Sequence, residues 1–101
     1  MAKYIVRVEL HHSIPQDYDV LHDFMHKHGF SKSLPVYGGY YPLPSAEYYI
    51  EHDSFKVVSD YAHISASAAT RDNNGYDILF SELRHVTLES NVPYPDQTIR
   101  C

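Results

Sequence analysis

Arginine, glutamate and histidine alternate with apolar residues along one segment near the N-terminus. Residues 3–11 read Lys-Tyr-Ile-Val-Arg-Val-Glu-Leu-His, so Arg7, Glu9 and His11 are spaced two apart. This spacing places the three side chains on one face of a β-strand. An arginine there can hold an anion such as phosphate, and a histidine can transfer a proton near neutral pH. The segment predicts either proton transfer on a bound anion or an ordinary polar sheet face.

The adjacent histidines His11 and His12 are the second candidate feature. They lie at the end of the predicted strand, at the entrance to the loop that precedes the first helix. Adjacent strand residues point to opposite faces, so both rings can bind one metal ion only if the strand has ended. Catalytic side chains often lie in such loops. The pair belongs either to a catalytic site or to an exposed loop.

His22 and His26 are four residues apart on a predicted helix. This spacing puts them on one face, where two imidazoles could bind a metal ion. No third ligand is identifiable, and aspartate replaces the glutamate of an HExxH motif at residue 23. We therefore predict a polar helix face without metal or other cofactor, and keep a histidine-based metal protein as a third hypothesis. His52, His63 and His85 are scattered and predicted to be incidental.

The elements that position these residues follow from hydrophobic periodicity. Strand and helix patterns alternate in the order strand, helix, strand, strand, helix, strand. Gly38-Gly39 predicts a two-residue hairpin turn, and Asp53 or Ser54 is predicted to cap the second helix. The predicted elements are a strand at 3–11, a helix at 17–28, strands near 34–41 and 46–50, a helix at 55–70, a strand at 76–80 and an optional strand at 85–89.

With right-handed crossovers, this order predicts an α+β, ferredoxin-like βαββαβ fold with an antiparallel sheet and both helices on one face. The first strand is then central, between the third and fourth strands. The side chains predicted to face the helices are Tyr4, Val6, Val8 and Leu10, and those predicted on the open face are Arg7, Glu9, His11, Glu47, Tyr49 and Asp77. We predict one domain at residues 1–92 and an irregular tail at residues 93–101.

Composition restricts the partners of this 101-residue chain. Its net charge of −5 excludes a protein that grips nucleic acid by bulk charge. Acidic residues are concentrated in the second half, so any RNA contact is expected to be weak, local and salt-sensitive. The single cysteine, Cys101, excludes an internal disulfide and a cysteine zinc cage. No apolar run reaches the ~20 residues of a membrane span, so we expect a cytoplasmic protein without membrane contact.

Four tyrosines crowd the centre of the sequence. They are Tyr40, Tyr41, Tyr48 and Tyr49. Exposed rings on a sheet can stack on unpaired RNA bases. Alternatively, the same rings are core and interface residues, for which tyrosine is well suited.

Three separated motifs in the first half resemble the GhoS-type endoribonuclease antitoxins. They are residues 4–11, a helix with Asp17-Tyr18 and Leu21-His22 that leads to Gly29-Phe30, and residues 41–48. The second half agrees only as a helix followed by a strand. The resemblance implies a ferredoxin-like domain similar to the CRISPR-associated Cas2 proteins. For the best-known member type, it implies cleavage of a toxin messenger RNA.

On this resemblance we expect a small bacterial endoribonuclease that cleaves single-stranded RNA without a metal ion. Arg7 would hold the scissile phosphate, and His11 or His12 would move a proton during attack by the ribose 2′-OH. The residues expected to bind substrate are Glu9, Glu47 and Tyr49. The alternative is a non-catalytic homodimer that binds a protein partner or a small ligand, because Ile5 and Leu79 are predicted on the open face.

Overall fold

The computed structural model describes residues 1–71 and 74–84. The predicted strand at 85–89, the tail at 93–101 and part of the predicted turn at 72–75 lie outside the described residues. The elements are β1 (Ala2–Leu10), α1 (Pro15–Lys27), β2 (Ser33–Val36), β3 (Gly39–Pro42), β4 (Glu47–His52), α2 (Phe55–Ala69) and β5 (Tyr76–Leu83). Within this part of the chain, no helix has the length and apolar character needed to cross a membrane.

The main sheet is antiparallel and three-stranded, in the order β4-β1-β5. The predicted α+β class, with β1 in the centre of the sheet, is therefore confirmed. β2 and β3 form a separate two-stranded sheet. The two sheets are linked by a bridge between Ser31 and Tyr49, whose backbone groups exchange two hydrogen bonds with N···O distances of 2.8 Å.

The prediction of one strand near residues 34–41 is wrong, because the chain reverses within that segment. Val36 pairs with Gly39, which leaves Tyr37 and Gly38 as the two turn residues. Gly38 has a φ of +90°, a conformation that glycine adopts at little cost. The turn therefore lies one residue earlier than the predicted Gly38-Gly39 turn.

The core lies between one face of the main sheet and the two helices. The β1 residues predicted to face the helices are all buried. They join one apolar cluster with residues of both helices and of β4. The small side chains of α2 allow close packing in this cluster. The buried core members outside β1 are Leu21, Met25, Phe30, Tyr48, Ile50, Val58, Ala62, Ala66 and Ala69.

Polar contacts define the N-terminal ends of both helices. Ser54 caps α2, because its hydroxyl accepts a hydrogen bond from the Val57 N–H at 3.3 Å. At α1, the buried Asp17 carboxylate accepts a bond from the Ile14 N–H at 3.0 Å. Arg71 also contacts this carboxylate, with its Nη2 at 2.9 Å from Oδ1, and holds the pKa of Asp17 below its usual range. The contact joins the start of α1 to the second residue after α2.

Candidate functional site

The strand register brings the predicted polar residues together on the open face of the main sheet. Arg7 lies opposite Glu47 on β4, and Glu9 lies opposite Asp77 on β5. Tyr49 lies two residues beyond Glu47, on the same face of β4. Residues directly opposite each other in a sheet share a face. We call the surface formed by Arg7, Glu9, Glu47, Tyr49 and Asp77 the open face.

His11 joins this surface through an ion pair with Asp77. β1 ends at Leu10, and the His11 N–H donates a backbone bond to the Gly75 carbonyl at 3.0 Å. The imidazole Nε2 then lies 2.9 Å from Asp77 Oδ2. The hydrogen bond and the negative charge of Asp77 raise the pKa of His11, because both favour the imidazolium form. An accessible histidine oriented by a carboxylate is suited to acid–base chemistry.

His12 occupies a different environment from its neighbour. It lies exposed in the turn after β1, with a φ of +52°. The strand therefore ends before the two histidines. Strand alternation, which would point their rings to opposite faces, does not apply to them. Of the two, His11 is the one whose imidazole is held in the structure by a carboxylate.

The central tyrosines divide between core and surface. Tyr48 and Tyr49 are buried, with exposed fractions of 1% and 6%, whereas Tyr40 is 71% exposed. The Tyr49 hydroxyl donates to Glu51 Oε2 at 2.6 Å, and burial raises its pKa. The Tyr40 ring is therefore accessible to solvent, while the rings of Tyr48 and Tyr49 belong to packed regions. Tyr49 also lines a cavity of about 380 Å³ between the sheet and β2.

A second group of titratable side chains lies between α1 and β4. The Tyr48 hydroxyl is hydrogen bonded to His22 Nδ1. Lys32 Nζ lies 4.7 Å from the centroid of the Tyr48 ring, and it donates to the carbonyl oxygens of Pro44 at 2.5 Å and Glu47 at 2.7 Å. These groups border a cavity of about 410 Å³, which we call the His22 cleft. Its lining residues are His22, His26, Gly29, Phe30, Ser31, Lys32 and Tyr48.

Burial changes the acid–base properties of the His22 cleft. It lowers the pKa of the His22 imidazole, and the positive charge of Lys32 lowers it further. Asp19 and Asp23 on the same helix act in the opposite direction. Burial also lowers the pKa of Lys32 and raises that of Tyr48. Displaced pKa values of neighbouring groups that border a cavity are typical of functional sites.

Sequence reasoning missed the His22 cleft. The metal hypothesis pairs His22 with His26 as two possible ligands. In the structure, His22 Nδ1 is instead hydrogen bonded to the Tyr48 hydroxyl. Within residues 1–71 and 74–84, no group of three or more histidine, cysteine, aspartate or glutamate residues could hold a metal ion. No spacing pattern in the sequence indicates this contact, although His22 and Tyr48 lie in two of the three motifs described above. The motifs also meet where the Leu10 N–H donates to the Tyr18 hydroxyl at 3.0 Å.

The remaining described histidines make local contacts. His28 Nδ1 lies 2.8 Å from the Phe24 carbonyl oxygen, at the end of α1. His52 Nδ1 accepts a bond from the Ser54 N–H at 3.0 Å, and His63 Nδ1 lies 3.0 Å from the Tyr76 hydroxyl. These contacts support helix ends and packing, while His85 lies outside the described residues.

Comparison with protein-family models, curated proteins and solved structures finds no match.

Proposed function

We propose that the protein is an endoribonuclease of the GhoS antitoxin type that cleaves single-stranded RNA without a metal ion. The observation that carries this proposal is the His11–Asp77 pair on the sheet face that includes Arg7. Cleavage by the 2′-OH of RNA needs a base for the hydroxyl proton and a cation at the phosphate. In this proposal, neutral His11 is the base and Arg7 is the cation.

The reaction in this proposal is an internal transfer within the RNA. His11 removes the 2′-OH proton, the 2′-oxygen attacks phosphorus, and the bond from phosphorus to the 5′-oxygen breaks. The leaving oxygen takes a proton from water or from His12. The products are a 2′,3′-cyclic phosphate and a new 5′-hydroxyl end. Glu9 and Glu47 remain the proposed substrate-binding residues. Tyr49 is not kept in this role, because its ring is buried and its hydroxyl donates to Glu51.

Charge and spacing restrict how RNA would lie on the open face. At about 3.3 Å per strand residue, the Cα atoms of Arg7 and His11 are at most about 13 Å apart, so one phosphodiester would lie between the two side chains. Glu9 and Asp77 occupy the interval, and Glu47 lies opposite Arg7. The acidic surroundings favour contact with one phosphate rather than with an extended backbone. We therefore propose weak, salt-sensitive binding, with the shallow salt dependence that a single phosphate contact produces.

Purified wild-type protein is expected to cleave single-stranded RNA in the presence of EDTA. Arg7→Ala is expected to lower the rate about 10- to 100-fold, because it removes a charge-assisted hydrogen bond to the phosphate. Gel analysis of an end-labelled RNA measures both rates. Lys56→Ala is the matched control, since Lys56 is an exposed cation on α2 that pairs with Asp60. Intact RNA after incubation with wild type contradicts the enzyme proposal, and equal cleavage by Arg7→Ala contradicts the role of Arg7.

The ferredoxin-like order and the cellular location are part of the same proposal. The bridge between Ser31 and Tyr49 attaches the chain just before β2 to the free edge of β4. Extension of that pairing gives the order β2-β4-β1-β5, which is the ferredoxin-like arrangement. Residues 1–92 would form this domain in the bacterial cytoplasm.

A non-catalytic homodimer is the second candidate function. The observation that favours it is Leu79, which is 63% exposed on the open face opposite Arg7. Half-buried Ile5 lies nearby on the same face. Apolar side chains on an otherwise polar face are explained by a surface that covers them. In this alternative, two open faces pack together, and the dimer binds a protein partner or a small ligand.

The dimer alternative predicts that Leu79→Glu halves the molar mass in solution. Two glutamates introduced at a symmetric interface would be desolvated and would repel each other. Light scattering measures the mass of wild type and variant at the same concentration. Ile64→Glu is the matched control, because Ile64 is 50% exposed on α2, away from the open face. An unchanged mass in Leu79→Glu would exclude this interface.

A further inference from the structure

We infer that the His22 cleft is a binding site for a phosphate group, held by Lys32 and by the imidazoles of His22 and His26. The inference goes beyond the proposed RNA cleavage, because the cleft and the open face lie on different sides of the sheet. Tyr48, which borders the cleft, pairs with Val6, whose side chain is buried beneath the helices. Binding in the cleft is therefore measurable whether or not the protein cleaves RNA.

Lys32 is a positioned cation whose hydrogen-bond partners are neutral. Two of its three N–H groups meet the carbonyl oxygens of Pro44 and Glu47, and its charge lies over the Tyr48 ring. In the described part of the chain, no carboxylate lies within salt-bridge distance of its Nζ. The Glu47 carboxylate acts on Lys32 through its charge but forms no direct ion pair with it. A partly buried ammonium that is not ion-paired interacts more strongly with a ligand anion than a solvated one does.

The two imidazoles add donors from one face of α1. His22 and His26 are four residues apart, and both border the cleft. In the tautomer in which His22 Nδ1 accepts from the Tyr48 hydroxyl, the neutral His22 ring carries its proton on Nε2. This nitrogen can then donate to a ligand oxygen. Lys32, His22 and His26 thus offer one donor each, which matches the three terminal oxygens of a phosphate monoester.

The size of the cleft indicates what carries the phosphate. Its volume of about 410 Å³ lies in the range of small-molecule sites. This is more space than a phosphate alone fills, so the cleft has room for an organic group attached to the phosphate. The rings of Phe30 and Tyr48 line part of the cleft, and at Gly29 the lining has no side chain. The negative charges of Asp19 and Asp23 on α1 repel an anion in the cleft. Binding of the phosphate therefore depends on direct contacts between its oxygens and the three donors.

The direct test is a titration followed by heteronuclear NMR at fixed ionic strength. Inorganic phosphate and a 5′-mononucleotide are expected to cause saturable shifts at residues 22–32 and at Tyr48. Lys32→Met is expected to weaken binding at least about tenfold, as expected for loss of a charged donor. Lys27→Met is the matched control, because Lys27 is an exposed cation at the end of the same helix and does not line the cleft.

His26→Gln provides a second variant, because His26 is exposed and not a core residue, so we expect the variant to keep the fold. It is expected to weaken binding severalfold and to leave the unfolding temperature unchanged. A single-stranded DNA oligonucleotide, which lacks the 2′-OH, forms the third arm of the titration. Tighter binding of the mononucleotide assigns the site to a small phosphorylated molecule, and tighter binding of the oligonucleotide assigns it to a nucleic-acid backbone. Absence of saturable shifts, or equal shifts in wild type, Lys32→Met and His26→Gln, would overturn the inference.

Discussion

Replacing His11 by glutamine is expected to lower the rate of RNA cleavage by about 10²–10⁴-fold, which is the usual contribution of a positioned acid–base group. Glutamine can still hydrogen bond to Asp77 but cannot accept the 2′-OH proton. Single-turnover cleavage of a fluorescent single-stranded RNA in EDTA measures the chemical step. His63→Gln is the matched control, because it makes the same change at a histidine that contacts the Tyr76 hydroxyl. Equal rates for His11→Gln and wild type would remove His11 from the mechanism.

The pH dependence of cleavage tests the same role independently. His11 acts as a base only in its neutral form, so the rate rises with pH as the imidazolium loses its proton. Asp77 raises the pKa of His11, with a smaller contribution of the same sign from Glu9, so the midpoint lies above the ordinary histidine value. Asp77→Asn removes the negative charge and is expected to move the midpoint to lower pH. A midpoint that stays unchanged contradicts the proposed coupling.

The open face could be predicted because strand alternation propagates across a sheet. Once β1 is central and antiparallel to β4 and β5, the parity of each residue decides its face. His11 and Asp77 are 66 positions apart, yet parity alone predicts that both lie on the open face. What parity does not predict is the ion pair itself, which depends on the turn that follows Leu10 and on the bond from His11 N–H to Gly75.

The His22 cleft could not be predicted in this way, because its members belong to elements of different periodicity. His22 lies on a helix and Tyr48 on a strand, 26 positions apart. Their contact depends on how α1 lies relative to β4, which neither the helical period nor strand alternation predicts. Lys32 enters the group through backbone carbonyls of residues 44 and 47, and such contacts have no side-chain pattern in the sequence.

The hairpin shows a smaller failure of the same kind. Two consecutive glycines make Gly38-Gly39 the obvious turn, and local chemistry alone does not choose between neighbouring registers. In the structure, Leu34 pairs with Tyr41 and Pro35 with Tyr40, which leaves Tyr37 in the turn. Pairing along the whole hairpin therefore selects the turn residues. A shift of one residue would move every side chain of one strand to its other face.

Tyr48→Ala is expected to lower the free energy of unfolding by about 3–5 kcal/mol, the usual cost of removing a buried aromatic ring. The ring is 1% exposed and packs edge-on against Phe30, with 6.4 Å between the ring centroids. Its removal leaves a cavity beneath Lys32 and takes away the hydroxyl partner of His22. Such a loss is a large share of the 5–15 kcal/mol that stabilises a typical domain. Urea denaturation followed by circular dichroism measures the change.

Tyr48→Phe separates the contribution of the ring from that of the hydroxyl. The phenylalanine keeps the packing but leaves His22 Nδ1 without its partner, so we expect a loss of about 1 kcal/mol. Tyr40→Ala is the matched control, because Tyr40 is 71% exposed and its removal should change stability by less than about 0.5 kcal/mol. Equal losses for Tyr48→Ala and Tyr40→Ala would contradict the burial of Tyr48. If Tyr48→Phe were as unstable as Tyr48→Ala, the hydrogen bond between the Tyr48 hydroxyl and His22, rather than the packing of the ring, would account for the stability that Tyr48 contributes.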